Sequence, residues 1–488
     1  MRQHFKQLTA YRADFTASIV VFLVAVPLCV GVAVASGVPA ELGLVTGIVG
    51  GLLTGLLPGS SLQVSGPAAG LTVLVFEAVK EYGIGALGAL VLAAGALQLA
   101  MGALRLGRWF RAISVAVVQG MLAGIGLVLI AGQLYALTDA KAPGSGLANL
   151  GSLPGLVTAT AVSGPALTAL AIGATTIAVL VLWPRWRRAA RILPAPLAAV
   201  ALATTAVWAL DLPVARVRVS GLLEAIQPPG LADLGRLTEI GVIGTVLAFA
   251  LIASAESLFS AAAVDRLHDG PRTEYDRELM AQGAGNAVCG LLGALPMTAV
   301  IVRSAANVQA GARTKVSRVL HGGWLLLFAA AFPAALGVVP VAALAGVLVH
   351  AGWKLIPLRD LRPMWREHRG EAVVLLVTAI AIVTVNMFEG VLIGLLLAVA
   401  KTAWETSHVH LEIDDPEGEG PVVVRALGNA TFLRLPKLLD QLEALPRDRD
   451  VELDLSGLRH LDHACGAALT NWAEQHRRSR DRSAELVS

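Results

Sequence analysis

Two prolines interrupt runs that would otherwise read as continuous apolar helix: Pro67 within Ser61–Gly70 (SLQVSGPAAG) and Pro296 within Gly293–Asn307 (GALPMTAVIVRSAAN). Proline lacks an N–H and favours the first helical position, so each motif predicts extended chain followed by a helix that begins in mid-run, at Pro67 and at Pro296. A helix from Ala68 to Val79 would be about 18 Å long, short of a hydrocarbon core of roughly 30 Å, and must start near the midplane. Such a half-helix presents unpaired backbone N–H groups and about half a positive charge at its tip. Two tips facing each other make an anion site that needs no buried lysine. The small residues Ala68, Ala69, Gly70 and Ala299 would let an ion reach the backbone.

Glu256 is the second chemical signal. It lies inside the apolar run Leu251–Val264 (LIASAESLFSAAAV), with Ser254, Ser257 and Ser260 close by. A carboxylate at membrane depth is costly unless paired, hydrated or protonated, which points to function. Ser260, four residues on, shares its helical face. This acid can neutralise a cation or take up a proton. Arg303 follows the second break by about one turn, where it either snorkels toward the cytoplasm or adds positive potential to the site. Asp265, Arg266 and Asn307 are expected to brace helix ends.

These residues need a membrane to sit in. Of 488 residues, 56% are apolar and only 15% charged, with a mean hydropathy of +0.69. A soluble protein of this size would carry roughly 25% charged residues, so a water-soluble enzyme is excluded first. The net charge of +3 comes without a basic run, giving no nucleic-acid arm. Cys29, Cys289 and Cys465 are too far apart in sequence to read as a disulfide framework or metal motif. No cleavable leader is expected at the start of the chain, whose first long apolar run reads as a retained span.

A ruler of about 20 residues per helix gives segments near 15–37, 43–57, 66–80, 86–104, 114–136, 164–184, 193–211, 239–263, 282–295, 298–312, 319–339, 341–356, 372–388 and 391–405. The sequence thus predicts an all-α polytopic membrane protein of fourteen spans; merging segments around Pro67 and Pro296 would give twelve. With the N-terminus in the cytoplasm, most loop arginines and lysines fall on the inner side, including Arg105, Arg108, Arg111, Arg185, Arg187, Arg188, Arg191 and the group Lys354 to Arg369. That bias places both termini inside. The two breaks fall in the third and tenth spans, an odd separation, so the second half inverts the first. Gly47, Gly51 and Gly55 repeat at four-residue spacing and read as a close helix contact with no ligand role.

From about His408 the chain turns polar. Strand-like runs at Pro421–Leu427 and Val451–Leu455 alternate with helix-like ones at Thr431–Leu445 and Ala464–Arg478, which predicts a small α/β domain. Asp414–Gly420 reads as a mobile loop. The expected domains are residues 1–407 in the membrane, with repeats about 12–212 and 236–406, and residues 408–488 in the cytoplasm.

SGPAAG, AESLFSAAAVD followed by RELMAQGAGN, and GALPMTAVIVRSAANVQAGARTKVS resemble the SulP anion transporters, the sulfate permease family; VELDLSGLRHLDHACGAAL resembles a STAS domain. The resemblance covers nearly the whole chain. It implies two inverted seven-span repeats divided into core and gate domains, a homodimer, and an elevator-like motion carrying a small inorganic anion, sulfate or bicarbonate, across a bacterial-type cytoplasmic membrane. Carried over by motif, it puts the anion at Ala68, Ala69, Gly70, Ala299, Val300 and Ile301. The coupling ion, Na+ or H+, falls at Glu256 and Ser260; no other cofactor is implied. Ala299, Val300 and Ile301 stand where sodium-coupled relatives tend to have glycine, alanine and threonine. Leu28 and Cys29 follow Pro27 where many members have a glutamine. His463 and Ala464 stand at positions often held by phosphorylatable serines, and the tail is expected to be a shortened STAS fold. A nucleobase or dicarboxylate carrier on the same architecture, or a non-transporting sensor or scaffold, are the other readings. No cluster of His, Cys or carboxylates in the spans supports an enzyme.

Overall fold

The computed structural model describes residues 2–487 except 113, 187, 188, 190–192, 220, 416–419, 447 and 448. Arg187, Arg188 and Arg191, used above for orientation, therefore lie outside the described residues, as does most of the expected Asp414–Gly420 loop. The chain divides into two compact units, Met1–Gly394 and Leu395–Ser488.

The first unit is helical. Among the described residues, seven helices are long and apolar enough to cross a bilayer, from Tyr11–Ala35 to Met387–Thr406, and Ala40–Leu56, Ala195–Ala209 and Val316–Ala331 are shorter apolar helices. Each of the fourteen segments expected from hydropathy contains a helix or half-helix. Glycine sets how closely these helices approach. A Cβ on Gly51 would meet Gly322 Cα at 2.5 Å and its N at 2.7 Å, so Ala40–Leu56 and Val316–Ala331 touch backbone to backbone. A Cβ on Gly283 would come within 2.6 Å of Leu99 N, and one on Gly88 within 2.8 Å of Gly290 O, which locks Ile84–Ala103 against Tyr275–Leu291. Gly51→Ala must push its partner helix away; the expected loss is about 1–3 kcal/mol, read as a lower melting temperature of the purified protein.

The two breaks begin differently from the sequence reading. Pro67 and Pro296 do not start helices. Ser65–Pro67 and Met297–Ala299 are extended and pair antiparallel, with Ser65 opposite Ala299, Gly66 opposite Thr298 and Pro67 opposite Met297. Helix follows only at Ala69–Leu71 (one 3-10 turn) continuing into Thr72–Tyr82, and at Ile301–Gln309. The physical reason is that each extended segment satisfies its backbone on the other, and proline at the strand's end forfeits little. Irregular backbone at membrane depth must be satisfied by protein, and here one helix face does a large part of it. Glu278, Gln282 and Asn286 follow one another at four-residue spacing on Tyr275–Leu291. Glu278 Oε2 accepts the Ser60 N–H (2.7 Å), Gln282 donates to Ser65 Oγ (2.7 Å), and Asn286 accepts the Met297 N–H (2.7 Å) while donating to its carbonyl (3.1 Å). Ser304 Oγ takes the Val64 N–H, Ser257 Oγ the Ala299 N–H, and Asn307 donates to Leu62 O. Asp265 holds the following loop by accepting from Thr273.

The second unit carries a four-stranded sheet. Val422–Ala430 lies between Val409–Asp414, antiparallel, and Val451–Asp454 and Leu458–Leu461, both parallel to it. Buried Val422, Val424 and Ala426 alternate with more exposed Val423 and Arg425, the period-2 pattern of a half-buried strand. They pack with Leu438, Leu442, Leu469 and Trp472 from helices Leu435–Glu443 and His463–Val487. Asp462 caps the last helix: Oδ1 accepts the Cys465 N–H at 2.8 Å and Oδ2 the Phe432 N–H at 2.6 Å. These bonds, that from Cys465 foremost, hold its carboxyl below the usual aspartate range. The lowered value means that the stabilisation is complete above the ordinary pKa of about 4 and is lost as pH falls through the lowered one. Asp462→Ala is therefore expected to lower the melting temperature at pH 7, with the gap to wild type closing below about pH 4.

Candidate functional site

A cavity of about 300 Å³ lies in the first unit, with both half-helix starts in its wall. Ala69 and Gly70 line it from one break, Val300 and Ile301 from the other. Ala68 (1% exposed) and Ala299 (0%) do not; they are packed behind it. The first intrahelical bonds are Leu71 N–H to Ala68 O (3.2 Å) and Ser304 N–H to Val300 O (3.0 Å). The N–H groups ahead of them, those of Ala69 and Gly70 and of Ile301 to Arg303, are the donors that a helix start leaves over.

Glu256 and Ser260 line the same cavity from helix Ile240–Val264. The Glu256 carboxylate lies against Gly70: a Cβ there would come within 2.9 Å of both its oxygens. Only glycine leaves that space open. The Thr298 hydroxyl is next to the same carboxyl, yet Glu256 Oε2 and Thr298 Oγ1 are buried without an ordinary hydrogen-bond partner. An acid and a hydroxyl left unsatisfied together are the donor set that a proton or a small cation would complete.

Arg303 does not snorkel. It is 1% exposed, held between the breaks, and Nη2 donates to Pro67 O at 3.3 Å. The Cys29 thiol and His321 imidazole are its neighbours. Among the described residues Nε and Nη1 have no ordinary hydrogen-bond partner, Nη1 being packed against Gly66, and a buried cation with no counter-charge is costly. Its amphipathic half-helix turns this side chain inward because Ser304 and Asn307 are spent on the extended segments.

Sequence reasoning did not select Thr298, His350 or Lys354. Thr298 sits inside the quoted GALPMTAV motif, in the helix expected from Pro296 onward, whereas the structure puts it in the extended segment Met297–Ala299. His350 and Lys354 line the cavity from helix Val341–Leu355. Their four-residue spacing puts them on one helical face, a signal present in the sequence but indistinguishable there from an ordinary polar helix end.

The model of the sulfate permease family matches residues 11–378, and that of an Mlab-type STAS domain matches residues 413–487. The chain belongs to the sulfate permease family. Among curated relatives, the putative sulfate transporter YvdB of Bacillus subtilis is 28% identical over 401 residues, covering 80% of this chain and 73% of its own length. The bicarbonate transporter BicA of Picosynechococcus sp. is 25% identical over 521 residues, covering 97% and 87%. Among solved structures, the transmembrane domain of a cyanobacterial BicA aligns with a TM-score of 0.66 at 22% identity over 80% of this chain and 97% of that one. The murine Slc26a9 anion transporter in its inward-facing state aligns with a TM-score of 0.78 at 15% identity over 96% and 84%. This sulfate permease family member is thus a polytopic, mostly helical membrane transporter with a C-terminal STAS domain, and not an enzyme.

Proposed function

We propose that the protein is a secondary active transporter of a small inorganic anion, sulfate or bicarbonate, and that the anion binds between the starts of the two half-helices. The observation that carries this is the cavity itself: Ala69, Gly70, Val300 and Ile301 bring both half-helix starts to its wall, and the buried Arg303 guanidinium lies between the breaks. Backbone N–H groups and helix dipoles meet at this space, with the Arg303 charge close behind the breaks, and each favours negative charge. The names of the relatives, one a putative sulfate transporter and one a bicarbonate transporter, agree with either substrate. A nucleobase would ask for several side-chain hydrogen-bond partners, which this largely apolar lining lacks.

Glu256 supplies the coupling. Its carboxylate lies against Gly70, next to the donors of the half-helix start, so an anion bound there and the carboxylate repel at short range. Binding H+ at the carboxyl, or Na+ between Glu256, Thr298 and Ser260, neutralises that charge and admits the anion; release of the cation expels it. On this reading the protein is a symporter, with anion and cation each raising the other's affinity.

The architecture that goes with this reading has fourteen spans in two inverted repeats, about 12–212 and 236–406, within a transport domain of residues 1–407 and ahead of a cytoplasmic STAS domain of residues 408–488. The antiparallel pairing of the two breaks supports the inversion. A core carrying both half-helices and Glu256 would move as an elevator against the remaining helices, in a homodimer of the cytoplasmic membrane with both termini inside. The test is uptake of labelled sulfate, bicarbonate, a nucleobase and a dicarboxylate into proteoliposomes, each with and without sodium and pH gradients. Uptake of an inorganic anion that follows one of the gradients is expected; uptake of only the organic solutes would overturn the reading.

A further inference from the structure

Helix Val341–Leu355 faces the cavity with a single stripe: Val347, His350, Ala351, Lys354 and Leu355, the i, i+3, i+4, i+7, i+8 positions of one helical face. Exposure rises along it. Val347 is 3% exposed, His350 is half-buried and Lys354 is exposed, so the cavity opens at the C-terminal end of this helix. Among the described residues, the charged or titratable groups in the lining are Glu256 and Arg303 with the breaks and His350 and Lys354 on Val341–Leu355. The other helices that line the space contribute apolar side chains, among them Val32, Met121 and Leu180.

An anion that leaves water at the mouth has an apolar stretch to cross before it meets the N–H groups of Gly70 and Ile301. Without help it would lose hydration before gaining partners, at a cost of several kcal/mol. A lysine at the mouth and an imidazole N–H one turn deeper offset that cost in order. We propose that His350 and Lys354 form a second anion station near the mouth of the cavity, on a different helix from the breaks, which captures a small inorganic oxyanion and hands it to the site between the half-helices. Lys354 provides charge. Neutral His350 provides an N–H donor, so the station works without protonation of the ring.

A lysine in the last turn also suits the negative end of a helix, and that structural role has to be separated from this one. It would move stability and the amount of folded protein, but not the concentration dependence of uptake. The proposal rests on the anion-transport reading, so the assay begins with a wild type shown to carry its anion in proteoliposomes. Initial rates are then measured against anion concentration, with the cavity mouth on the side of addition. Lys354→Gln is expected to raise KM about five- to tenfold with kcat kept within about twofold, Lys354→Arg to restore it, and added inert salt to shift wild-type KM toward that of Lys354→Gln. His350→Leu should raise KM, while His350→Gln, which keeps an N–H donor, should stay near wild type. Unchanged KM in Lys354→Gln and His350→Leu, with wild type active, would overturn the station and leave the central site standing. A wild type that carries no anion would overturn the parent reading and the station with it.

Discussion

Glu256→Gln should abolish accumulation of the anion against its gradient while leaving the protein folded and the anion bound at least as tightly as in wild type. Glutamine keeps the shape of the side chain against Gly70, where a Cβ would lie 2.9 Å from both carboxylate oxygens. It removes the negative charge that opposes the anion, and it can neither take up a proton nor pair with sodium. Wild-type affinity should depend on sodium or on pH; that of the variant should depend on neither. A charged interaction of this kind is worth about 1.5–3 kcal/mol, so the dependence lost corresponds to roughly 10- to 100-fold in affinity. Binding titrations of the purified protein at two sodium concentrations and two pH values check the first half, and gradient-driven uptake the second. A variant that still accumulates anion in response to the same gradient would show that coupling runs through another residue.

Ala69→Leu carries the other large effect. Ala69 lines the cavity at the first turn of the half-helix, directly before Gly70. A leucine there fills the space in front of the leftover N–H groups instead of removing them. Two hydrogen bonds to a charged ligand contribute about 3–6 kcal/mol together, so affinity should fall by about 100-fold or more. The residue is at the cavity surface and not in the packed core, so insertion into the membrane and melting temperature should change little. Ala299 is the contrasting position. It is fully buried and outside the lining, so a leucine there should destabilise the protein through overpacking. Equal anion affinity in wild type and Ala69→Leu, measured by equilibrium binding, would place the anion elsewhere.

Much of this site was legible in the sequence because the membrane simplifies the reading. Length and hydropathy locate the helices, and a proline within an apolar run signals an interruption. Glu256 stood out because an acid at membrane depth has few innocuous explanations. Where helix begins after each proline was not legible. It depends on pairing between Ser65–Pro67 and Met297–Ala299, residues more than two hundred positions apart, which no local pattern specifies. The same is true of the ladder Glu278, Gln282 and Asn286, whose spacing was visible but whose partners were not. Arg303 could be read two ways until its burial decided between them. His350 and Lys354 were hidden for a different reason: a polar side chain near a helix end is ordinary, and only the shape of the cavity gives it a role. In the polar tail, alternation located the strands at Val422–Ala430 and Val451–Asp454, but Val409–Asp414 and Leu458–Leu461 are too exposed to show it.

The central claim is that a small anion rests between the two half-helix starts. The most direct measurement is a pair of electron cryomicroscopy maps, with and without the anion identified by uptake. The account predicts difference density within hydrogen-bond distance of the backbone nitrogens of Gly70 and Ile301 and in reach of the Arg303 guanidinium. Density at any other place in the membrane unit, with that space empty, would contradict it.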